Sequence, residues 1–205
     1  MLWSTAPKGA EVVLTNVNLP PSFSPDNKLL ATARLGGPVT VWDMATRQPV
    51  WPLNSERFVQ FTEDGGSLAT ISTNLILRFW DVATQTLQRT VPLPGITDST
   101  QQFIFALRGN RLAAGDDEGI LTLHDATTGG LIGKFKAYPR AINLLLAAAL
   151  TLSPDARLLA TSGENYTVKL WDVATQKQLA AMPGHKESVV GLAFSPDGQT
   201  LATVG

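Results

Sequence analysis

The chain is predicted to be all-β, assembled from repeated units of four short antiparallel strands. Three observations carry that prediction: a ten-residue phrase occurs five times, a second phrase follows its first four copies at a fixed distance, and both phrases consist of turn and strand residues. The 205 residues are 44% apolar, enough to bury a sizeable core and to exclude a disordered chain.

The first phrase is Phe23-Ser24-Pro25-Asp26-Asn27-Lys28-Leu29-Leu30-Ala31-Thr32. It returns from Phe61 to Thr70, more weakly from Phe105 to Ala114, then from Leu152 to Thr161 and from Phe194 to Thr203. Ser-Pro-Asp-Gly is turn chemistry: proline presets φ at the second turn position, and Gly or Asn tolerates the left-handed one. With an apolar run on each side, the phrase reads as a hairpin. The second phrase is Val41-Trp42-Asp43-Met44-Ala45-Thr46, repeated from Phe79 to Thr84, from Leu123 to Thr128 and from Leu170 to Thr175. Thr167-Val168-Lys169-Leu170-Trp171 alternates with period two, which makes it a third strand. Stretches such as Lys177 to Met182 supply a fourth. The interval from the leading residue to the Trp position is nineteen in all four units (23 to 42, 61 to 80, 105 to 124, 152 to 171), so the unit is rigid and the loops between units vary. Leading positions lie 38, 44, 47 and 42 residues apart, near the ~40–45 of one four-stranded propeller blade.

On these residues the chain resembles the WD-repeat β-propeller family over essentially its full length. Trp-Asp closes the third strand at Trp42-Asp43, Trp80-Asp81 and Trp171-Asp172, with His124-Asp125 in the remaining unit, and Gly184-His185 stands nine residues ahead of Phe194. Leu2-Trp3 lies twenty residues before Phe23 and looks like a worn third-strand motif, which adds Trp3 to the repeat signature. The expected fold is a single domain, 1–205, a β-propeller with about five blades' worth of sequence. Its units are approximately 1–14 (partial), 15–52, 53–92, 93–136, 137–182 and 183–205 (partial). Two organisations fit: a five-bladed ring closed by pairing Leu201-Ala202-Thr203 with Met1-Leu2-Trp3, or a fragment of a larger propeller. The stop directly after Thr203 and its neighbours favours the fragment. The phrasing is similar to the bacterial branch of the family, in which the repeats often accompany kinase or nucleotide-hydrolysing domains.

The resemblance implies a bracing set in each blade: the Gly-His histidine, a Ser or Thr of the second strand, an Asp in the following turn, and the Trp. Here the turn position six residues before each Trp holds Gly36, Asn74, Glu118 and Asn165 instead of Asp, and His124 replaces the third Trp. Apolar packing is therefore expected to outweigh buried polar networks, with Trp42, Trp80 and Trp171 largely buried between blades.

Charge and composition narrow the function. Sixteen Lys and Arg against seventeen Asp and Glu lack the basic excess of a nucleic-acid binder, so no nucleic-acid partner is expected. Cysteine is absent, which removes disulfides, thiolate metal sites and thiol nucleophiles. The most apolar segment, Ala141 to Leu152, is too short for the ~20 residues of a membrane-spanning helix, and the first residues have neither a basic leader nor an apolar stretch. The expectation is a soluble, cytoplasmic protein with no membrane partner. Ala141 to Leu150 occupies the place of a first strand, with a short helical turn at its start. His124 and His185, the only histidines, hold framework positions, and no pair stands at metal-ligand spacing. Gly115-Asp116-Asp117-Glu118-Gly119 lacks the alternating oxygen spacing of a calcium loop and reads as a solvated turn. No catalytic residue, cofactor or metal is expected.

What remains is presentation of loops. The expected protein-binding face gathers the segments entering each first strand and those joining second to third strands, with Arg34, Arg57, Asp116, Asp117, Tyr138, Arg140, Tyr166, Lys186 and Glu187. Arg and Tyr dominate protein interfaces. Trp51 lies outside the motif and is expected on the outer strand or near a loop. The predicted function is a non-catalytic scaffold that binds another protein or a peptide segment, as part of a larger regulatory or signalling polypeptide, with additional blades or domains of the same gene product as further partners. The alternative is a propeller enzyme of lactonase or hydrolase type, with a site in the central channel. That site needs convergent acids, histidines or metal ligands, which two framework histidines do not supply. Ubiquitin-ligase adaptors of the family carry Arg or Lys two positions after Trp-Asp, where this chain has Ala45, Ala83 and Ala174.

Overall fold

The computed structural model describes residues 21–33, 38–54, 56–96, 103–116, 118–137, 149–162 and 164–205. Regular structure there is strand, β1 to β18, apart from one three-residue 3₁₀ turn at Glu164–Tyr166. The chain divides into two compact units, Met1–Thr90 and Val91–Gly205.

The first unit holds two sheets. One is β1 (Ser22–Phe23), β2 (Leu29–Ala33), β3 (Val39–Asp43) and β4 (Pro49–Leu53), hydrogen-bonded in that order. The other is β5 (Glu56–Phe61), β6 (Ser67–Ser72), β7 (Ile76–Asp81) and β8 (Leu87–Pro92), whose last two residues pass the division. β4 runs one residue beyond the unit end expected at 52. Ala31, Val41, Leu53, Val59 and Leu68 fill the core, with Trp51 among them and Trp80 at its margin.

The second unit holds β9 (Phe103–Arg108), β10 (Arg111–Asp116), β11 (Ile120–Asp125) and β12 (Leu131–Lys136) as one sheet. A second sheet is β13 (Leu150–Leu152), β14 (Leu158–Ser162), β15 (Val168–Asp172) and β16 (Gln178–Met182). A hairpin of β17 (Gly191–Phe194) and β18 (Leu201–Val204) follows. Ala113, Leu121, Leu123, Leu152, Leu159 and Trp171 form its core, with Phe135 packed against them.

Burial explains why the repeated phrase is uniformly small and apolar. In β2, β6, β10 and β14 nearly every residue is buried, on both faces, so Leu-Ala-Thr cannot alternate with charged residues. The fourth strands β8, β12 and β16 are mostly exposed, which is why their sequences drift.

Two carboxylate clamps set the turns. Ser24 Oγ donates to Asp26 Oδ1 at 2.7 Å and accepts from Leu29 N at 2.9 Å, and the Lys28 amide donates to the same carboxylate at 3.1 Å. Thr62 with Asp64, Ser153 with Asp155 and Ser195 with Asp197 repeat this arrangement. The left-handed position is filled by Asn27, Gly65 and Gly198, as turn chemistry requires, but also by Ala156 at φ 56°. The second clamp is the Asp of each Trp-Asp or His-Asp pair. Asp43 Oδ1 accepts from Thr46 N at 2.7 Å and Thr46 Oγ1 at 2.9 Å, and Asp81, Asp125 and Asp172 bind Thr84, Thr128 and Thr175 in the same way. These bonds hold all eight carboxyls below the usual aspartate range. A bulge precedes the Trp or His in β3, β11 and β15, where the register shifts.

Candidate functional site

The repeat's polar frame comes first, because it decides which groups are already committed. Trp42 Nε1 donates to Thr32 Oγ1 at 2.9 Å, Trp80 to Thr70 at 2.9 Å and Trp171 to Thr161 at 3.1 Å. In each case the Trp stands opposite a leucine of the second strand: Leu30, Leu68 and Leu159. Among the described residues the polar link is thus kept in each blade that has the Trp, more fully than the missing turn Asp and histidines imply. Its two members lie on paired strands and need neither of the absent residues.

Burial of the three indoles is unequal, which corrects the expectation that all are largely buried. Trp171 is 6% exposed and lies under Phe135, with ring centroids 4.9 Å apart. Trp42 and Trp80 are half-buried; Trp80 meets Trp51 edge-on at 6.1 Å, which leaves part of its ring uncovered. Trp51 itself lies on the outer strand β4 and is buried, so it presents no aromatic surface.

Blade three replaces both members of the pair. His124 stands where the Trp would be, and Ala114 occupies the position held elsewhere by Thr32, Thr70 and Thr161. A threonine there would face no indole donor. His124 is fully buried; its Nδ1 lies 3.3 Å from the Gly129 carbonyl and its Nε2 has no hydrogen-bond partner. Burial pushes the imidazole below the ordinary histidine range. At the end of the chain, His185 Nε2 lies 2.7 Å from Thr203 Oγ1.

Sequence reasoning missed a buried ion pair in β5 and β7. Glu56 is 2% exposed and accepts from Arg78 Nη1, while its Oε2 has no partner. Burial raises the carboxyl above the usual range, against the opposing effects of Arg78 and Thr70. The signal was present: two residues before the Trp or His position, Arg78 and Lys169 stand where the other units have Thr40 and Thr122. Lys169 Nζ donates to the Ala137 carbonyl at 2.8 Å.

Of the expected protein-binding residues, Arg34, Asp117, Tyr138 and Arg140 lie outside the described residues, as do Trp3 and residues 141–148; β5 includes Arg57, whose side chain is likewise outside the description. The ring-closing pairing with Met1-Leu2-Trp3 falls outside with them. Asp116 ends β10, and its Oδ1 accepts from the amides of Glu118 at 3.0 Å and Ile120 at 2.8 Å, so it holds its own turn. It also borders a shallow crevice with Phe103, Ala114, Ile120 and Thr122, too narrow to enclose a small molecule. Lys186 and Glu187 are exposed on the segment entering β17.

Tyr166 differs from the rest. The residue five positions before each Trp or His is left-handed in three blades: Leu75 at φ 57°, Gly119 at φ 79° and Tyr166 at φ 61°. Glycine takes this conformation freely, whereas a bulky side chain is strained by ~1–2 kcal/mol. Leu75 offsets that strain by burial, being 8% exposed, but Tyr166 is 46% exposed.

Among the described residues, no group of three or more His, Cys, Asp or Glu is placed to hold a metal ion, and no helix is long and apolar enough to cross a membrane. A family model, "WD domain, G-beta repeat", matches residues 142–172 and 176–205. Periodic tryptophan protein 2 of Arabidopsis thaliana is 27% identical over 89% of this chain and 20% of its own length. Coronin-7 of Bos taurus is 30% identical over 71% of this chain and 16% of its own. With the repeated Thr–Trp strand pairs, these matches decide the family.

The chain belongs to the WD-repeat family.

A chain in the crystal structure of the mitotic checkpoint complex aligns with 98% of this WD-repeat chain and 66% of its own, with TM-score 0.69 and 21% identity. That likeness shows the fold, a β-propeller of four-stranded antiparallel blades. The WD-repeat segment spans a fifth or less of the two curated relatives.

Proposed function

We propose that this WD-repeat chain is a non-catalytic scaffold, part of a larger regulatory polypeptide, that binds another protein or a peptide through the loops joining second to third strands and the segments entering first strands. The observation that carries this reading is Tyr166, an exposed ring held at a left-handed position that blade three fills with glycine. Backbone strain without burial in return belongs with binding surfaces. The groups that the sequence offered for chemistry support the same reading, because they are committed to the frame. Asp43, Asp81, Asp125 and Asp172 clamp turns, Asp116 holds its own turn, and His185 bonds Thr203.

The test is a photo-crosslinking residue at position 166 in the full-length gene product, followed by titration of the identified partner against Tyr166→Gly and Lys186→Glu. The expected result is at least a tenfold loss of affinity for Tyr166→Gly with unfolding unimpaired. Unchanged affinity of both variants for every crosslinked protein refutes the loop-face reading, and turnover of a substrate by the purified chain refutes the non-catalytic one.

A further inference from the structure

Blade two buries a charge pair where blade three has a phenylalanine and a threonine. Glu56, the first residue of β5, pairs with Ser72 as Phe103 pairs with Asp116, and Arg78 pairs with Thr70 as Thr122 pairs with Ala114. Phe103 and Thr122 border the same crevice, so the two positions adjoin and can be filled without an ion pair. In blade two the Glu56 side chain is 1% exposed, accepts from Arg78 Nη1 and leaves Oε2 without a partner. A buried ion pair adds little stability over a neutral filling, because desolvation offsets the attraction. What it adds is a response to protons.

The pair links the start of β5 to β7 across β6, and the register of β5 against β6 shifts between Glu56 and Phe58. A strand opens most readily at its end and beside such an irregularity. Of the strands packed on β5, β1, β2 and β6 carry no charged residue and β3 carries only Asp43; β7 carries Arg78 and Asp81. Both aspartates are committed to their turns. Among the described side chains of these strands, Arg78 is therefore the cation that Glu56 can use. The Arg78 side chain is 27% exposed, so it has a path to water.

We infer that Glu56 is a proton-operated fastener for the start of β5. Ionised, it is held by Arg78 with one buried oxygen unsatisfied, and the strand start opens readily. A solvent proton on Oε2 removes the charge, so the side chain stays buried without a countercharge, the strand start closes, and Arg78 is released to water. The change has a local reporter: Thr70, opposite Arg78, accepts from Trp80 Nε1 at 2.9 Å. Burial raises the carboxyl above the ordinary glutamate value of 4.5, so the closed strand binds the proton before the opened one does, and protonation favours closure. All these residues belong to the first unit, and the test does not use Tyr166 or Lys186.

The experiment uses the 205-residue chain with ¹⁵N-labelled tryptophan, titrated from pH ~7.5 to ~4.5. The Trp80 indole resonance, assigned with Trp80→Phe, should move with a midpoint above 4.5. Hydrogen-exchange protection of Glu56–Val59, corrected for the intrinsic effect of pH, should rise about tenfold through that midpoint while Leu158–Ser162 in blade four keeps its protection. Glu56→Gln, a neutral isostere, should hold both readouts at their acid values across the range. Arg78→Met should raise the midpoint by about one pH unit, because the opposing cation is gone. An indole resonance with no midpoint above 4.5, or the same midpoint in Glu56→Gln, overturns the inference. Protection at Glu56–Val59 that stays level or falls as the indole titrates also overturns it, because the pair is then a static brace.

Discussion

The buried indole of blade four offers the sharpest test of how the repeat is held. Trp171 is 6% exposed, lies 4.9 Å from Phe135 between ring centroids, and donates from Nε1 to Thr161 Oγ1 at 3.1 Å. Truncation to alanine forfeits the burial and the ring contact, for an expected cost of ~3–5 kcal/mol. Thr161→Val keeps the volume but strands a buried N–H, which costs ~1–3 kcal/mol. Trp171→Phe removes the donor while keeping an aromatic ring. In the double variant both polar partners are gone, so the two changes should couple by about 1 kcal/mol. Urea unfolding followed by far-ultraviolet circular dichroism, with coincidence checked by a second probe, measures all four proteins. Trp42→Ala and Trp80→Ala should each cost less than Trp171→Ala, because those rings are half-buried. A Trp171→Ala cost below ~1 kcal/mol, or additive effects of Thr161→Val and Trp171→Phe, refutes the reasoning.

Four further outcomes are expected. Burial lowers the His124 pKa, so above the ordinary value of ~6.5 the ring is neutral in both states; as pH falls below it the unfolded chain binds the proton first and stability drops. His124→Leu should flatten that part of the stability profile between pH 7 and 5, read by urea midpoints. Arg78→Met leaves Glu56 buried without its countercharge and should cost ~3 kcal/mol, whereas Glu56→Gln in the same background should restore most of it. Ala156→Gly relieves a left-handed alanine and should raise stability by ~0.5–1 kcal/mol in thermal unfolding; a loss refutes the strain. The eight clamp aspartates, held low by Ser, Thr and backbone donors, contribute stability that is present above the ordinary aspartate value and lost as pH falls through their lowered values, so acid unfolding followed by circular dichroism should begin below pH ~4.

The blade was legible in the sequence because its chemistry repeats at fixed distance. Ser24 and Asp26, or Asp43 and Thr46, act within five residues of each other, so their clamps can be read from spacing alone. Strand order followed from the same phrases. Side-chain burial was less legible: the same Trp-Asp motif yields one buried and two half-buried indoles, and the rings that meet Trp171 and Trp80, Phe135 and Trp51, lie on fourth strands of other sheets, outside the repeated phrases. The Glu56–Arg78 pair was missed because its members lie 22 residues apart and neither belongs to the repeated phrases. Its trace was a lysine or arginine at a position otherwise held by threonine. Blade three carries a similar trace, with Ala114 in place of threonine wherever His124 replaces the indole donor.

The binding surface was the least legible part, since loops carry no period against which a departure shows. Conformation supplies the missing standard. Leu75, Gly119 and Tyr166 occupy one position of the blade and share one left-handed backbone, so the frame imposes that φ whatever the residue. Where the residue is glycine the frame costs nothing, and where it is Leu75 the buried side chain repays the strain. At Tyr166 neither offset operates, and a stability-driven choice at that position would be glycine. The WD-repeat frame therefore separates the side chains it needs from those it merely displays: Tyr166→Gly should leave the fold as stable or more so, by up to ~1 kcal/mol in urea unfolding, while removing the ring that a partner would contact. Marked destabilisation by that change would place the tyrosine within the frame and leave Lys186 and Glu187 to carry the interface.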